Sequence, residues 1–129
     1  MEQLGGPSLP GIGFGMGLTR IILAMQASGS DIVDEPQPIL YIAPMGKDAR
    51  KFAVSAVDKL RQNGVYAECD ITGRSLKAQM KYADKIGAKY TLILGDSELE
   101  SGKAQLKNMA ESSQEEIEIN KICEIIMSK

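Results

Sequence analysis

Apolar and polar positions change period in a fixed order along this chain. Ile39 to Ala43 is an unbroken apolar run, which predicts a buried strand, and Pro44-Met45-Gly46 predicts a turn after it. From Lys47 to Asn63, the residues Ala49, Phe52, Ala53, Ala56, Val57 and Leu60 recur at helical spacing, and Gly64 stops the pattern. Val65 to Cys69 predicts a second strand. Ser75 is a good N-cap, and Leu76, Met80, Ala83 and Ile86 mark the inner side of a helix ending near Gly87. Tyr90 to Leu94 predicts a third strand, turned by Gly95-Asp96. Strand, helix, strand, helix, strand implies a parallel sheet with right-handed crossovers. After Ser101-Gly102 the period drops to two over 103–109 and 114–119, with Glu111-Ser-Ser as the hairpin turn. Asn120 caps a last helix carrying Ile122, Cys123, Ile125, Ile126 and Met127. The predicted class is α/β, a mixed five-stranded sheet flanked by three helices.

The first part of the chain differs. Gly11, Gly13, Gly15 and Gly17 alternate with Ile12, Phe14, Met16 and Leu18, the period of a strand with one bare face. The alternative is a flexible Gly-rich lead-in, which the pattern alone favours. No window satisfies G-x-G-x-x-G, and no Gly-Lys-Ser/Thr follows, so neither common nucleotide loop is present. Leu18 to about Ala27 predicts a helix, and Ser28 to Pro38 has linker composition. The expected organisation is 1–29, a linker at 30–38, and a folded unit at 39–129. An edge strand without neighbours is unstable in water, so residues 1–18 are expected to be poorly ordered or unnaturally packed.

Composition narrows the chemistry. The chain has 129 residues, a net charge of −2 and a pI near 5.2, so any nucleic-acid contact must be local. It has no His, which excludes Ser-His-Asp and Cys-His catalysis and His-ligated metals. Cys69 and Cys123 sit in apolar patterns and read as small buried hydrophobes, which suits a reducing cytoplasm. Ile21 to Met25 is too short for a membrane span, and neither a membrane nor DNA is an expected partner. With few aromatic residues, a broad base-stacking platform is not expected.

The chemistry-bearing stretch runs from Asp70 to Lys85. Thr72-Gly73 supplies a tight turn, and Arg74, Lys77, Lys81 and Lys85 are spaced three or four apart. At about 100° per residue they gather opposite the apolar stripe. A basic stripe at a helix start suits phosphate, although spacing alone favours an ordinary solvated face. Arg74 lies off the apolar stripe, so Arg74→Ala is expected to cost little stability. The ends of parallel strands are the usual ligand sites, here 44–47, 70–75 and 95–98. Asp70, Thr72, Arg74 and Gln79 can meet base edges, and Lys77, Lys81 and Lys85 can hold phosphates. For Asp70 an Asx-type turn is an equal alternative and for Gln79 a place among core neighbours; Tyr82 can stack on a base, against which stands the commoner half-buried core role. Asp96, Glu98 and Glu100 lack a Gly-bearing calcium loop and read as a solvated acidic loop, so no metal site is expected.

The stretch Cys-Asp-Ile-Thr-Gly-Arg-Ser-Leu-Lys-Ala-Gln-Met-Lys-Tyr-Ala-Asp-Lys-Ile-Gly-Ala at 69–88 closely resembles the anticodon-binding domain of the histidyl-tRNA synthetase family. The resemblance continues through Tyr-Thr-Leu-Ile-Leu-Gly at 90–95 to the last residue. It also covers Gly5 to Arg20, which resembles motif 3 of a class II catalytic domain. It implies a three-layer anticodon-binding fold and a contact between the tRNA-His anticodon arm and Asp70, Thr72, Arg74, Lys77, Gln79, Lys81 and Lys85. It implies that Gly15, Gly17 and Arg20 meet ATP, with Thr19 standing where the family usually has Glu. The parent so implied is a cytoplasmic, homodimeric ligase using ATP and magnesium. The chain itself is expected to be a monomeric C-terminal fragment that does not aminoacylate and holds no cofactor. The alternative is an accessory paralogue acting through protein–protein contacts.

Overall fold

The computed structural model describes residues 2, 5–30 and 36–129. It divides into two compact units, residues 1–34 and 35–129. The expected linker at 30–38 falls largely on residues 31–35, outside the described ones.

In the first unit, α1 (Leu18–Ala27) forms as its apolar run predicts, but none of its residues is buried. Leu18, Ile21, Ile22, Leu23 and Met25 are all exposed. The strand expected over 11–18 does not form: among the described residues, 5–17 contain no strand. A strand needs a neighbouring edge, and the five strands among the described residues are paired with one another in the second unit.

The second unit is a five-stranded sheet in the order β2-β1-β3-β4-β5. Its elements are β1 (Leu40–Met45), α2 (Lys47–Gln62), β2 (Ala67–Cys69), α3 (Leu76–Lys85), β3 (Tyr90–Gly95), α4 (Asp96–Ser101), β4 (Lys103–Asn108), β5 (Gln114–Glu118) and α5 (Ile122–Met127). β1 pairs in parallel with β2 and β3, whereas β3–β4 and β4–β5 are antiparallel. Side chains alternate across the sheet. Leu40, Ile42, Leu92, Leu94, Ala104, Leu106 and Ile117 face one way and meet α2 and α5. Tyr41 and Ala43 face the other way and meet Ala83 and Ala88, with Leu76, Tyr82 and Ile86 packed around them.

Three local expectations are corrected. Asn120 does not cap the last helix: it lies within a single 3-10 turn (Ile119–Lys121), and Lys121 is the residue at the start of α5. Pro44 and Met45 continue β1 rather than turning it. β2 pairs with β1 only up to Ile42, so Pro44 lies where β1 has lost its neighbour on that side and a missing N–H is tolerated. Residues 96–101 form the short helix α4 instead of a loop, because the Glu98 side chain accepts from the Gly95 N–H (2.7 Å) and closes its first turn.

Candidate nucleic-acid interface

Three loops meet the carboxyl ends of the parallel strands. The crevice between β1 and β3, where the chain reverses its progress across the sheet, is the usual ligand site in such folds. Here it is filled from within. The Asp96 carboxylate accepts from the Ala49 N–H at 3.2 Å, capping α2 from another element. Gly46 (φ 129°) leaves it room, since a Cβ there would lie 2.5 Å from the Asp96 oxygens. The acidic residues of 95–98 are thus caps.

The loop between β2 and α3 is built differently. Asp70 is fully buried and acts as its hub. Its carboxylate accepts from the Gly73 N–H (2.6 Å), the Arg74 N–H (2.9 Å), the Thr72 hydroxyl (3.0 Å) and Arg74 Nε (2.6 Å). Burial alone pushes its pKa up. The hydrogen bonds from the Arg74 side chain and backbone, from Thr72 and from Gly73 outweigh burial and hold the carboxyl below its usual range. Asp70 is therefore the Asx-type anchor of the turn rather than a group that meets base edges.

Arg74 is fixed in turn. Its side chain is 37% exposed, ion-paired to Asp70, and its guanidinium lies over the Tyr82 ring at 4.3 Å. Arg74 Nη2 donates to the Tyr41 hydroxyl at 3.4 Å, and burial, opposed by Arg74, pushes Tyr41 up to about 12, so it stays protonated. The expectation that Arg74→Ala costs little stability treated Arg74 as free of the core, whereas Arg74 balances a buried charge and covers Tyr82.

Gln79 is also fully buried. Its amide donates to the Arg74 carbonyl (2.7 Å) and the Pro44 carbonyl (3.2 Å), tying the loops after β1 and β2 together. Gln79 thus positions the loop and does not face solvent, because the α3 stripe turns it inward beside Ala83. Ser75 caps α3, accepting from the Ala78 N–H at 3.4 Å.

The outer side of α3 carries Lys77, Lys81 and Lys85, all exposed, and none has an ion-pair partner among the described residues. Thr72 is exposed at the turn. Pattern reading missed Arg50. It lies in the first turns of α2, and its Nη2 would be 2.7 Å from a Cβ on Gly73, whose φ is 77°. The Arg50 Nε is buried and has no hydrogen-bond partner among the described residues. Only the fold brings Arg50 to Gly73, so no local signal marked it. Gly15 and Gly17 lie in a stretch without regular structure, and Arg20 is exposed on α1.

A family model described as "Anticodon binding domain" matches residues 40–129. The chain is 49% identical over 120 residues to a histidine–tRNA ligase of Acetivibrio thermocellus, covering 93% of this chain and 29% of that protein. It is 43% identical to a histidine–tRNA ligase of Clostridium botulinum, covering 98% of this chain and 30% of that one. The chain therefore spans about three tenths of the length of these relatives. Its fold matches the crystal structure of apo S. aureus histidyl-tRNA synthetase with a TM-score of 0.69 and 38% identity, over 84% of this chain and 28% of that one. The RNA binding domain of a Cryptosporidium parvum threonyl-tRNA synthetase shares the fold, with a TM-score of 0.61 at 15% identity over 70% of this chain. The second unit has the sheet, the helices and the sequence of one family, and the chain belongs to the anticodon-binding domain family in the form found in histidine–tRNA ligases.

Proposed function

We propose that the β2–α3 loop and the outer side of α3 hold the anticodon arm of tRNA-His. The observation that carries this reading is a guanidinium locked between Asp70 and Tyr82, beside three lysines on one helix side that have no ion-pair partner among the described residues. A preset Arg offers a planar fork at little ordering cost, and exposed lysines supply charge for phosphates. Thr72, Arg74, Lys77, Lys81 and Lys85 are the contact residues, with Arg50 added, while Asp70 and Gln79 position them.

The protein so read is a cytoplasmic histidine–tRNA ligase, dimeric in its whole form. It activates histidine with ATP and magnesium and transfers it to tRNA. The relatives carry the ligase's name, which supports the enzyme over an accessory paralogue. The 129-residue chain alone is a monomer that does not charge tRNA and holds no cofactor. In the ligase, Gly15, Gly17 and Arg20 approach ATP together with residues from elsewhere.

The test is binding of transcribed tRNA-His, and of a tRNA with a substituted anticodon, across a salt series. A Lys77→Ala, Lys81→Ala, Lys85→Ala variant should lower the slope of log affinity against log salt by about 2, at roughly 0.7 per phosphate lost. An unchanged slope, or equal binding of both tRNAs by the wild-type chain, overturns the reading.

A further inference from the structure

The side of α3 beyond Arg74 opens onto a cleft of about 480 Å³ whose walls include Gln37, Tyr66, Glu68, Tyr82, Lys85 and Ile86. We propose that this cleft takes one unstacked base of the bound RNA loop, with Glu68 accepting hydrogen bonds from a donor-bearing edge, that of guanine above all. The proposal rests on the anticodon-arm reading and deepens it.

Position is the first argument. Glu68 pairs in register with Tyr41 on β1, which places both on the sheet face that α3 covers. Tyr82 belongs to both places: Arg74 lies over its ring, and Tyr82 also lines the cleft. A strand held at the Arg74 loop and running along α3 therefore passes the mouth of the cleft, with Lys85 at the rim to meet its phosphate.

Chemistry is the second. A carboxylate beside a basic stripe weakens the hold on phosphate, so it serves RNA binding only if it reads something. One Glu68 oxygen accepts from the Tyr66 hydroxyl at 2.5 Å, which fixes the carboxylate. The other oxygen has no hydrogen-bond partner among the described residues. Unstacked bases are recognised by stacking on rings and by hydrogen bonds to their edges. Guanine presents two parallel donors, N1–H and N2–H, which match the two oxygens of one carboxylate. Uracil and adenine present no such pair.

Rigidity is the third. Tyr82 is held by Arg74 on its ring and by Tyr41 at a tilted contact of 5.9 Å. The Gln37 amide rests over Gly87, where φ is 68° and a Cβ would lie 2.7 Å from it. The walls are thus set before any base arrives, which limits the ordering cost of binding.

The experiment uses an anticodon stem–loop of tRNA-His whose loop guanines are replaced by inosine one at a time, which removes only the N2 amine. The wild-type chain should lose roughly tenfold in affinity at one position. Glu68→Gln should bring that loss below about twofold while keeping the salt slope, and Tyr66→Phe should reduce it partly. Glu68→Gln also removes a negative charge, so the ratio between guanine and inosine is the readout. If no position prefers guanine, or Glu68→Gln keeps the full preference, the cleft proposal falls while the anticodon reading stands. If the wild-type chain fails to bind the stem–loop at all, both fall.

Discussion

A single buried carboxylate governs the working loop, and its behaviour with pH follows from its partners. Asp70 has its pKa held below the ordinary value of 3.8, because the hydrogen bonds from Arg74, Thr72 and Gly73 outweigh burial. A depressed folded-state pKa means the unfolded chain binds the proton more readily. The stabilisation is therefore full above about pH 4 and is lost as pH falls through the lower, folded value. Asp70→Asn should cost about 1–3 kcal/mol at pH 7, since the loop donors lose a charged acceptor. The gap between wild type and variant, measured by urea denaturation, should shrink at pH 3. A gap that stays constant with pH overturns the assignment. The sequence placed Asp70 at a turn and left two roles open. The choice between them depended on Arg74 folding back over Tyr82, and a charged residue off the apolar stripe gives no sign of that. Gln79 was legible as nearer the inner side, but its bonds to Pro44 and Arg74 join segments 35 and five residues away.

At the scale of elements, α2 and α3 start in opposite ways, and this decides where a ligand can sit. α3 is capped by its own Ser75, a local signal readable from the sequence. α2 follows Gly46 and is capped by Asp96, 47 residues from Ala49, a pairing that only the parallel register of β1 and β3 creates. The acidic run at 96–100 read as a loop because a helix of six residues is too short to show a period. Asp96→Ala should destabilise the unit by about 1 kcal/mol. Gly46→Ala should cost roughly 2–3 kcal/mol, from its positive φ and from collision with the Asp96 carboxylate. In the Gly46→Ala, Asp96→Ala double variant the collision disappears and only the backbone strain remains. The combined loss should fall below the sum of the two, by more than the roughly 0.5 kcal/mol expected of independent sites. Additive losses in thermal or urea unfolding would show that Asp96 does not occupy the space at Gly46.

On the scale of the whole molecule, the two units rest on different amounts of burial. In the second unit Leu40, Ile42, Leu92 and Leu94 are fully buried in paired strands with helices on both sheet faces. The apolar runs made this unit legible, because a buried parallel sheet writes itself as continuous hydrophobic segments. In the first unit the same hydrophobicity misleads. Ile12 and Phe14 are exposed in a stretch without a strand, and α1 buries none of its ten residues. Apolar content signals burial only where a partner surface exists. Helices this short are marginal in water without packing, and the N–H groups of 11–16 make no backbone hydrogen bonds to other described residues. Hydrogen exchange on the 129-residue chain should therefore show full exchange of peptides within 6–27 at the earliest times. Peptides covering 40–45 and 90–95 should be the slowest, since they open only with the whole sheet. Protection of 18–27 comparable to that of β3 would mean that α1 is covered in solution. Dilution then identifies the cover: protection that falls with concentration comes from a second copy, and protection that persists comes from within the chain. Either result would remove the exposed helix as a property of the isolated molecule and leave the sheet, its caps and the Asp70 loop as described.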